Sequence, residues 1–73
     1  MRRLLSMANS KPIESNNLKV IKDELGYEAL MSKKYAECSN QCTDQQLKKV
    51  CTDAGNVHKQ NFTQLKSYLD SHQ

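Results

Sequence analysis

The fold of this chain is decided by a polar stretch near its middle, NQCTDQQ at residues 40–46. It separates two segments with helical periodicity and contains a capping box, in which the Thr43 hydroxyl accepts a hydrogen bond from the Gln46 amide and the Gln46 side chain accepts one from the Thr43 amide. Asp44 would complement the positive end of the helix dipole. We therefore predict a turn over residues 41–43 between two helices.

The segments on either side of the turn repeat apolar and small residues at steps of three and four, which is the period of an amphipathic helix. The repeat predicts one helix over residues 18–40 and a second over residues 44–71. Because the connection is short, the helices should be antiparallel neighbours, so that residues 18–73 form an all-α hairpin. Residues 1–17 hold the only proline and a run of serine and asparagine, and we expect a flexible leader there.

The chain is too small to cover both apolar stripes by itself. It has 73 residues, of which 37% are hydrophobic, with no Trp and one Phe. Below ~70–80 residues a single core supplies only a few kcal/mol, and small proteins usually add disulfides, a metal or self-association. We expect a homodimer or tetramer that completes an antiparallel, ferritin-like four-helix bundle. The predicted interface consists of Leu18, Ile21, Leu25, Tyr35, Leu47, Phe62, Leu65 and Leu69.

The charge pattern and the start of the chain exclude several classes of function. The net charge is +3, but the lysines alternate with acidic residues, which is typical of solvated helix faces and not of a nucleic-acid surface. The start offers an apolar run of only two leucines, too short for a secretory signal, and no stretch is long enough to span a membrane. We therefore expect a cytoplasmic protein with reduced thiols.

The three cysteines are expected to be small apolar fillers. Cys38 and Cys42 stand one helical turn apart, and Cys51 belongs to the second helix. Counted from the turn at ~1.5 Å per residue, Cys51 is about 13 Å and Cys38 about 6 Å along its helix. The sulfur atoms are then at different levels, and no Cys-x-x-Cys motif occurs, so the sequence argues against a thiolate metal site near the turn.

Glu28 and His58 are the polar residues that interrupt the two stripes. With the turn centred near Cys42, Glu28 lies 14 residues before it and His58 16 residues after it, a mismatch of about 3 Å. A carboxylate among apolar residues is unfavourable unless it is paired. The residues leave three interpretations open: a hydrogen bond that specifies the register of the bundle, a metal site, or two boundary residues with their ends in water.

The metal interpretation requires two chains. In a symmetric dimer two Glu28 and two His58 would meet in the middle of the bundle, where ferritin-like proteins hold their metals. The Glu-x-x-His motif of di-iron proteins is absent, because Gly55 stands three residues before His58. The remaining four ligands would suit one zinc or iron ion. We predict no cofactor, with zinc or iron at this pair as the alternative.

The sequence contains no motif that would support a catalytic function. No nucleophile and base are paired by their spacing, and no glycine-rich phosphate loop or pair of carboxylates occurs. The prediction is a non-enzymatic structural or interaction protein.

Two stretches of the chain, EALMSKKYAECSNQCTDQQL at residues 28–47 and HKQNFTQLKSYL at residues 58–69, resemble the small spore-coat-F-like proteins of endospore-forming Firmicutes. The resemblance implies a ferritin-like hairpin in a sporulating bacterium, with a structural role in the spore coat and other coat proteins as partners. The family pattern carries a second histidine three residues after the first, where this chain has Asn61. That departure, together with Gly55, weakens the metal interpretation.

Overall fold

The computed structural model describes residues 13–72, which form two α-helices. Helix α1 spans Ser15–Gln41 and helix α2 spans Gln45–Ser71, each with 27 residues. Residues 42–44 connect them, and residues 13–72 contain no strand. The predicted all-α hairpin is confirmed at this level.

Helix α1 begins earlier than predicted. Its first residue is Ser15, and the N-cap position is Glu14, whose side chain makes no capping hydrogen bond. The predicted leader over residues 1–17 is therefore wrong for residues 15–17, and residues 1–12 lie outside the described part of the chain. A first helical turn made of Ser and Asn carries no apolar residue, so hydrophobic periodicity does not reveal it.

The N-cap of α2 is Asp44 and not Thr43. The Asp44 side chain accepts a 2.8 Å hydrogen bond from the amide of Leu47, which satisfies one of the free amides of the first turn. The predicted capping box of Thr43 and Gln46 is wrong. Both Thr and Asp cap helices well, so the composition of the turn locates the cap only to within one residue.

The hairpin is one helix thick. Its extents are 52 × 26 × 11 Å, and an α-helix with its side chains is about 10–12 Å across. Within residues 13–72 only Glu28, Cys51 and Gly55 are buried. The described residues therefore form a seam between two helices without a closed hydrophobic core.

Of the two glycines, Gly55 is the one that lies against the other helix. A Cβ atom placed there would lie 3.3 Å from the Cβ of Tyr35 and 3.9 Å from the carbonyl oxygen of Ser32, whereas one placed on Gly26 would meet nothing within 4 Å. The absence of a side chain at Gly55 thus lets α2 lie against α1 beside the central polar pair.

Candidate functional site

Glu28 and His58 occupy the same height in the hairpin. Glu28 lies 13 residues before Gln41, the end of α1, and His58 lies 13 residues after Gln45, the start of α2. Because both helices rise equally per residue, the two side chains meet across the seam. The structure brings together the two residues that the sequence places opposite each other.

Both oxygens of the Glu28 carboxylate are paired within one chain. His58 Nδ1 donates a hydrogen bond to Oε1 of Glu28, and Asn61 Nδ2 donates one of 3.3 Å to Oε2. The side chains of Glu28 and His58 are only 10% and 19% exposed. A charge that is shielded from water in this way is tolerable because each oxygen has a donor.

Asn61 is a member of this cluster that sequence reasoning did not find. It follows His58 by three residues, and residues at that spacing are neighbours on one side of a helix. The spacing to His58 was the available signal. In this structure Asn61 serves as the second donor to Glu28.

Two tyrosines of α1 hold the His58 ring. The Tyr35 ring is stacked on it, with centroids 5.6 Å apart and planes inclined by 12°, and the Tyr27 ring meets it edge-on at 6.0 Å. Such ring pairs contribute about 0.5–1.5 kcal/mol beyond the area they bury. They also fix the orientation of the imidazole, so that Nδ1 points at Glu28.

The charged pairs outside the seam are of a different kind. Three lysine–aspartate pairs at i, i+4 lie on exposed helix surfaces, with N–O distances of 2.8–2.9 Å. In one of them the hydrogen bond to Asp53, and next the charge of Asp53, raise the pKa of Lys49. Exposed pairs of this type contribute little to stability.

The cysteines form a cluster at the turn, which contradicts the predicted isolated fillers and reduced thiols. Cys38 and Cys51 are joined as a disulfide with Cα atoms 6.0 Å apart, a usual separation for such a bond. The free Cys42 has its sulfur 3.9 Å from that of Cys38. All three sulfur atoms lie within 4.8 Å of one another.

Two geometric effects explain why counting residues misplaced the sulfurs. The caps Cys42 and Asp44 have extended backbone conformations, so the connection crosses between the helices and adds little helical rise. Side chains also lean towards the N-terminus of their helix, which is away from the turn on α1 and towards it on α2. Cys51 therefore meets Cys38 although it lies farther from the turn.

Polar contacts close the turn end beside this cluster. The Lys48 ammonium donates a 2.6 Å hydrogen bond to the carbonyl oxygen of Ser39. The Thr52 hydroxyl donates to the carbonyl oxygen of Lys48 at 3.0 Å and accepts from the Ser39 hydroxyl at 2.9 Å. These bonds tie the last turn of α1 to the first turns of α2.

The predicted interface residues lie mostly inside the hairpin. Seven of them are half-buried along the seam between α1 and α2, and only Leu47, at 49%, is classed as exposed. Within residues 13–72, further large apolar side chains have 49–61% of their surface open: Val20, Tyr27, Leu30, Val50, Val57 and Tyr68.

Five of these exposed side chains share one side of the hairpin. Tyr27 directly precedes Glu28, and Val57 directly precedes His58. In an antiparallel pair of right-handed helices, the residues that precede two facing seam residues project from the same side. Val20 lies on the same side of α1 as Tyr27, and Val50 and Tyr68 lie on the same side of α2 as Val57, because they are seven or eleven residues apart. We call these five residues the apolar face: Val20, Tyr27, Val50, Val57 and Tyr68.

The opposite side of α2 carries charge. Lys48, Lys59 and Lys66 each follow a seam residue by one position, so they project away from the apolar face. We call this the lysine face. A shallow groove on it lies between Lys59 and small residues of both helices, among them Ser32, Ala36, Thr52 and Gly55.

Comparison of the chain with known protein families, characterised proteins and solved structures finds no match. The resemblance to the spore-coat-F-like proteins therefore stays a prediction. Over the described residues, neither helix has the length and apolar character that a membrane crossing requires.

Proposed function

We propose that this chain is a non-enzymatic structural protein that assembles with copies of itself into a ferritin-like four-helix bundle, as a component of a bacterial spore coat. The observation that carries the proposal is the apolar face. A hairpin one helix thick leaves Val20, Tyr27, Val50, Val57 and Tyr68 each about half exposed or more.

A second copy is the occupant that fits this face best. The flank of α2 that contains Val50, Val57 and Tyr68 has no charged residue in line with them, whereas the opposite flank has three lysines. This flank of α2 needs no complementary charge on its partner and can pair with itself about a two-fold axis, the commonest symmetry of soluble oligomers. The charges on this side, Glu24 and Lys34, lie beside Val20 and Tyr27 on α1. Packing the two apolar faces together would build four helices around one core.

The central polar pair supports the same arrangement. Asn61, which donates to Glu28, lies on the same side of α2 as Val57 and Tyr68. In the proposed dimer each Glu28–His58 pair would lie near the core, already satisfied by its own chain. A paired polar group in a core stabilises little by itself, but it penalises shifted registers that would leave it unpaired.

Self-association is tested by sedimentation equilibrium on the full chain at micromolar concentration. We expect a dimer or tetramer for the wild type. Val57→Lys should dissociate it, because the ammonium would have to be buried in the interface. Asn56→Lys, an exposed neighbour off the apolar face, adds the same charge and should leave the mass unchanged.

A well-folded wild-type monomer would overturn the proposed assembly. Equal masses for Val57→Lys and the wild type would overturn the assignment of the face. Circular dichroism on both variants establishes that each is still helical.

The coat role has a separate test. The tagged full chain is expressed in a sporulating Firmicute, and mature spores are divided into coat extract and core. Recovery in the coat extract is the expected result, whereas recovery only in the core, or in neither fraction, would refute the coat role without touching self-association.

The alternative is a metal-binding ferritin-like module that uses Glu28 and His58 of two chains with zinc or iron. The burial of both side chains in one cluster favours it. Against it, each carboxylate oxygen already has a donor from its own chain. Elemental analysis of untagged His58→Phe and wild-type protein decides: a stoichiometric ion that is lost in the variant would establish the alternative.

A further inference from the structure

The turn end of the hairpin holds three sulfur atoms where a disulfide needs only two. Cys38 and Cys42 come from the last turn and the C-cap of α1, and Cys51 comes from the facing side of α2. Their sulfurs lie within 4.8 Å of one another. The third thiol is what distinguishes this cluster from a simple cross-link.

The separation of the Cys38 and Cys42 sulfurs fits two ligands of one small ion. Thiolates bind zinc at about 2.3 Å, which in a tetrahedral site places ligand sulfurs about 3.8 Å apart. The sulfurs of Cys38 and Cys42 are 3.9 Å apart. Cysteine sulfur selects soft or borderline ions such as zinc over calcium or magnesium.

The surroundings leave space for a fourth ligand and offer positive charge. A concave surface beside the sulfurs of Cys38 and Cys42 is lined by Lys34, Glu37 and Gln41. Three thiolates around a divalent ion leave one net negative charge, which the negative end of the α1 dipole disfavours. Lys34, which lines the same concave surface as Glu37, can offset that charge.

We propose that Cys38, Cys42 and Cys51 form a zinc site whose oxidised, metal-free state is the Cys38–Cys51 disulfide. A dithiol reductant transfers two electrons and two protons to the disulfide, which yields the thiols of Cys38 and Cys51 beside that of Cys42, and the reductant becomes a disulfide. Binding of Zn²⁺ then releases three protons as the thiols become thiolates. The proposal involves one chain only, so it does not depend on self-association.

The test uses full-length protein reduced with a phosphine and titrated with Co²⁺ without oxygen, because thiolate ligation of cobalt gives a charge-transfer absorption that carboxylate or imidazole ligation does not. We expect one ion per chain, displaced by Zn²⁺. Unreduced protein should show no such band. Zinc should also protect the thiols of the reduced protein from alkylation.

Two variants decide which side chains bind. Cys42→Ser retains the disulfide partners and should weaken binding at least about tenfold, while His58→Phe should leave the band and affinity unchanged. Wild-type affinity in Cys42→Ser would overturn the site, as would the absence of a charge-transfer band or its loss in His58→Phe. Circular dichroism of reduced Cys42→Ser checks that a loss of binding is not a loss of fold.

Discussion

The Glu28–His58 pair allows a sharp test of how the seam is held together. His58→Phe removes the imidazole nitrogens but keeps an aromatic ring between Tyr27 and Tyr35, which the wild-type ring contacts at 6.0 and 5.6 Å. The variant therefore isolates the hydrogen bond to Glu28 from the ring packing. What it leaves behind is a carboxylate that is only 10% exposed.

The expected loss of stability is about 2–3 kcal/mol. Removing one partner of a fully buried ion pair costs about 3–5 kcal/mol. Because Asn61 still donates a 3.3 Å hydrogen bond to Glu28 in His58→Phe, the loss in this variant should lie at or below the lower limit of that range. Glu28→Leu alone leaves His58 without an acceptor and should cost about 1–2 kcal/mol. In the double variant both polar groups are gone, and the loss should fall to about 1 kcal/mol or less.

The assay is urea unfolding followed by circular dichroism for the wild type, the two single variants and the double variant. Protein concentration is held constant, because the proposed self-association would make stability depend on it. The sum of the losses in the two single variants should exceed the loss in the double variant by about 2–4 kcal/mol. Should the single variants add within error, the pair would not be coupled in the seam and the reasoning would fail.

The exposed pair Lys66–Asp70 provides the control for this cycle. Its side chains are 56% and 55% exposed at an N–O distance of 2.9 Å. Replacing each by Ala, singly and together, should give a coupling of only about 0.3–0.5 kcal/mol. A similar coupling in both cycles would mean that burial of Glu28 has no energetic consequence.

Two further predictions concern local structure. Asp44→Ala should destabilise the protein by about 1 kcal/mol, because the hydrogen bond to the Leu47 amide is lost, and Thr43→Ala should destabilise it less. The urea midpoints of the two variants measure this difference. A larger loss in Thr43→Ala would identify Thr43 as the N-cap. Gly26→Ala should stabilise α1 by up to about 1 kcal/mol, because nothing lies near the new methyl. Gly55→Ala should gain less or destabilise, since its Cβ would meet Tyr35, and equal gains in thermal midpoint would refute the close approach.

The hairpin and its central pair are the parts that sequence reasoning finds reliably. Helical rise is uniform, so the distance of Glu28 and His58 from a single turn places them opposite each other with little error. The same method failed to predict the cysteine cluster, because the cluster lies next to the turn. Near the turn, two effects displace the sulfur atoms: a few residues have extended backbone, and side chains on the two helices lean in opposite directions. These displacements are as large as the distances along the helices that were compared.

The outer surface was predicted less well, because hydrophobic periodicity does not distinguish apolar residues that pack between the two helices from apolar residues that stay exposed. The seam residues Ile21 and Cys51 repeat with the same period as the exposed Val20 and Val50 that directly precede them. An isolated helix gives no reason to prefer one stripe over the other. Only the position of the second helix shows that Tyr27 and Val57 remain open while Leu25 and Phe62 are half-covered. The unequal charge of the two flanks of α2 was the available signal.

The two ends of the hairpin need different sources of stability. A cross-link between Cys38 and Cys51, which are 13 residues apart, removes chain entropy equivalent to about 3 kcal/mol, and a zinc ion bound by the same sulfurs would restrain the same segment. Neither restrains the far end, where Leu18 and Leu69 are only half-buried. The proposed self-association would add apolar cover from another chain at that end, so it would complement the cross-link at the turn.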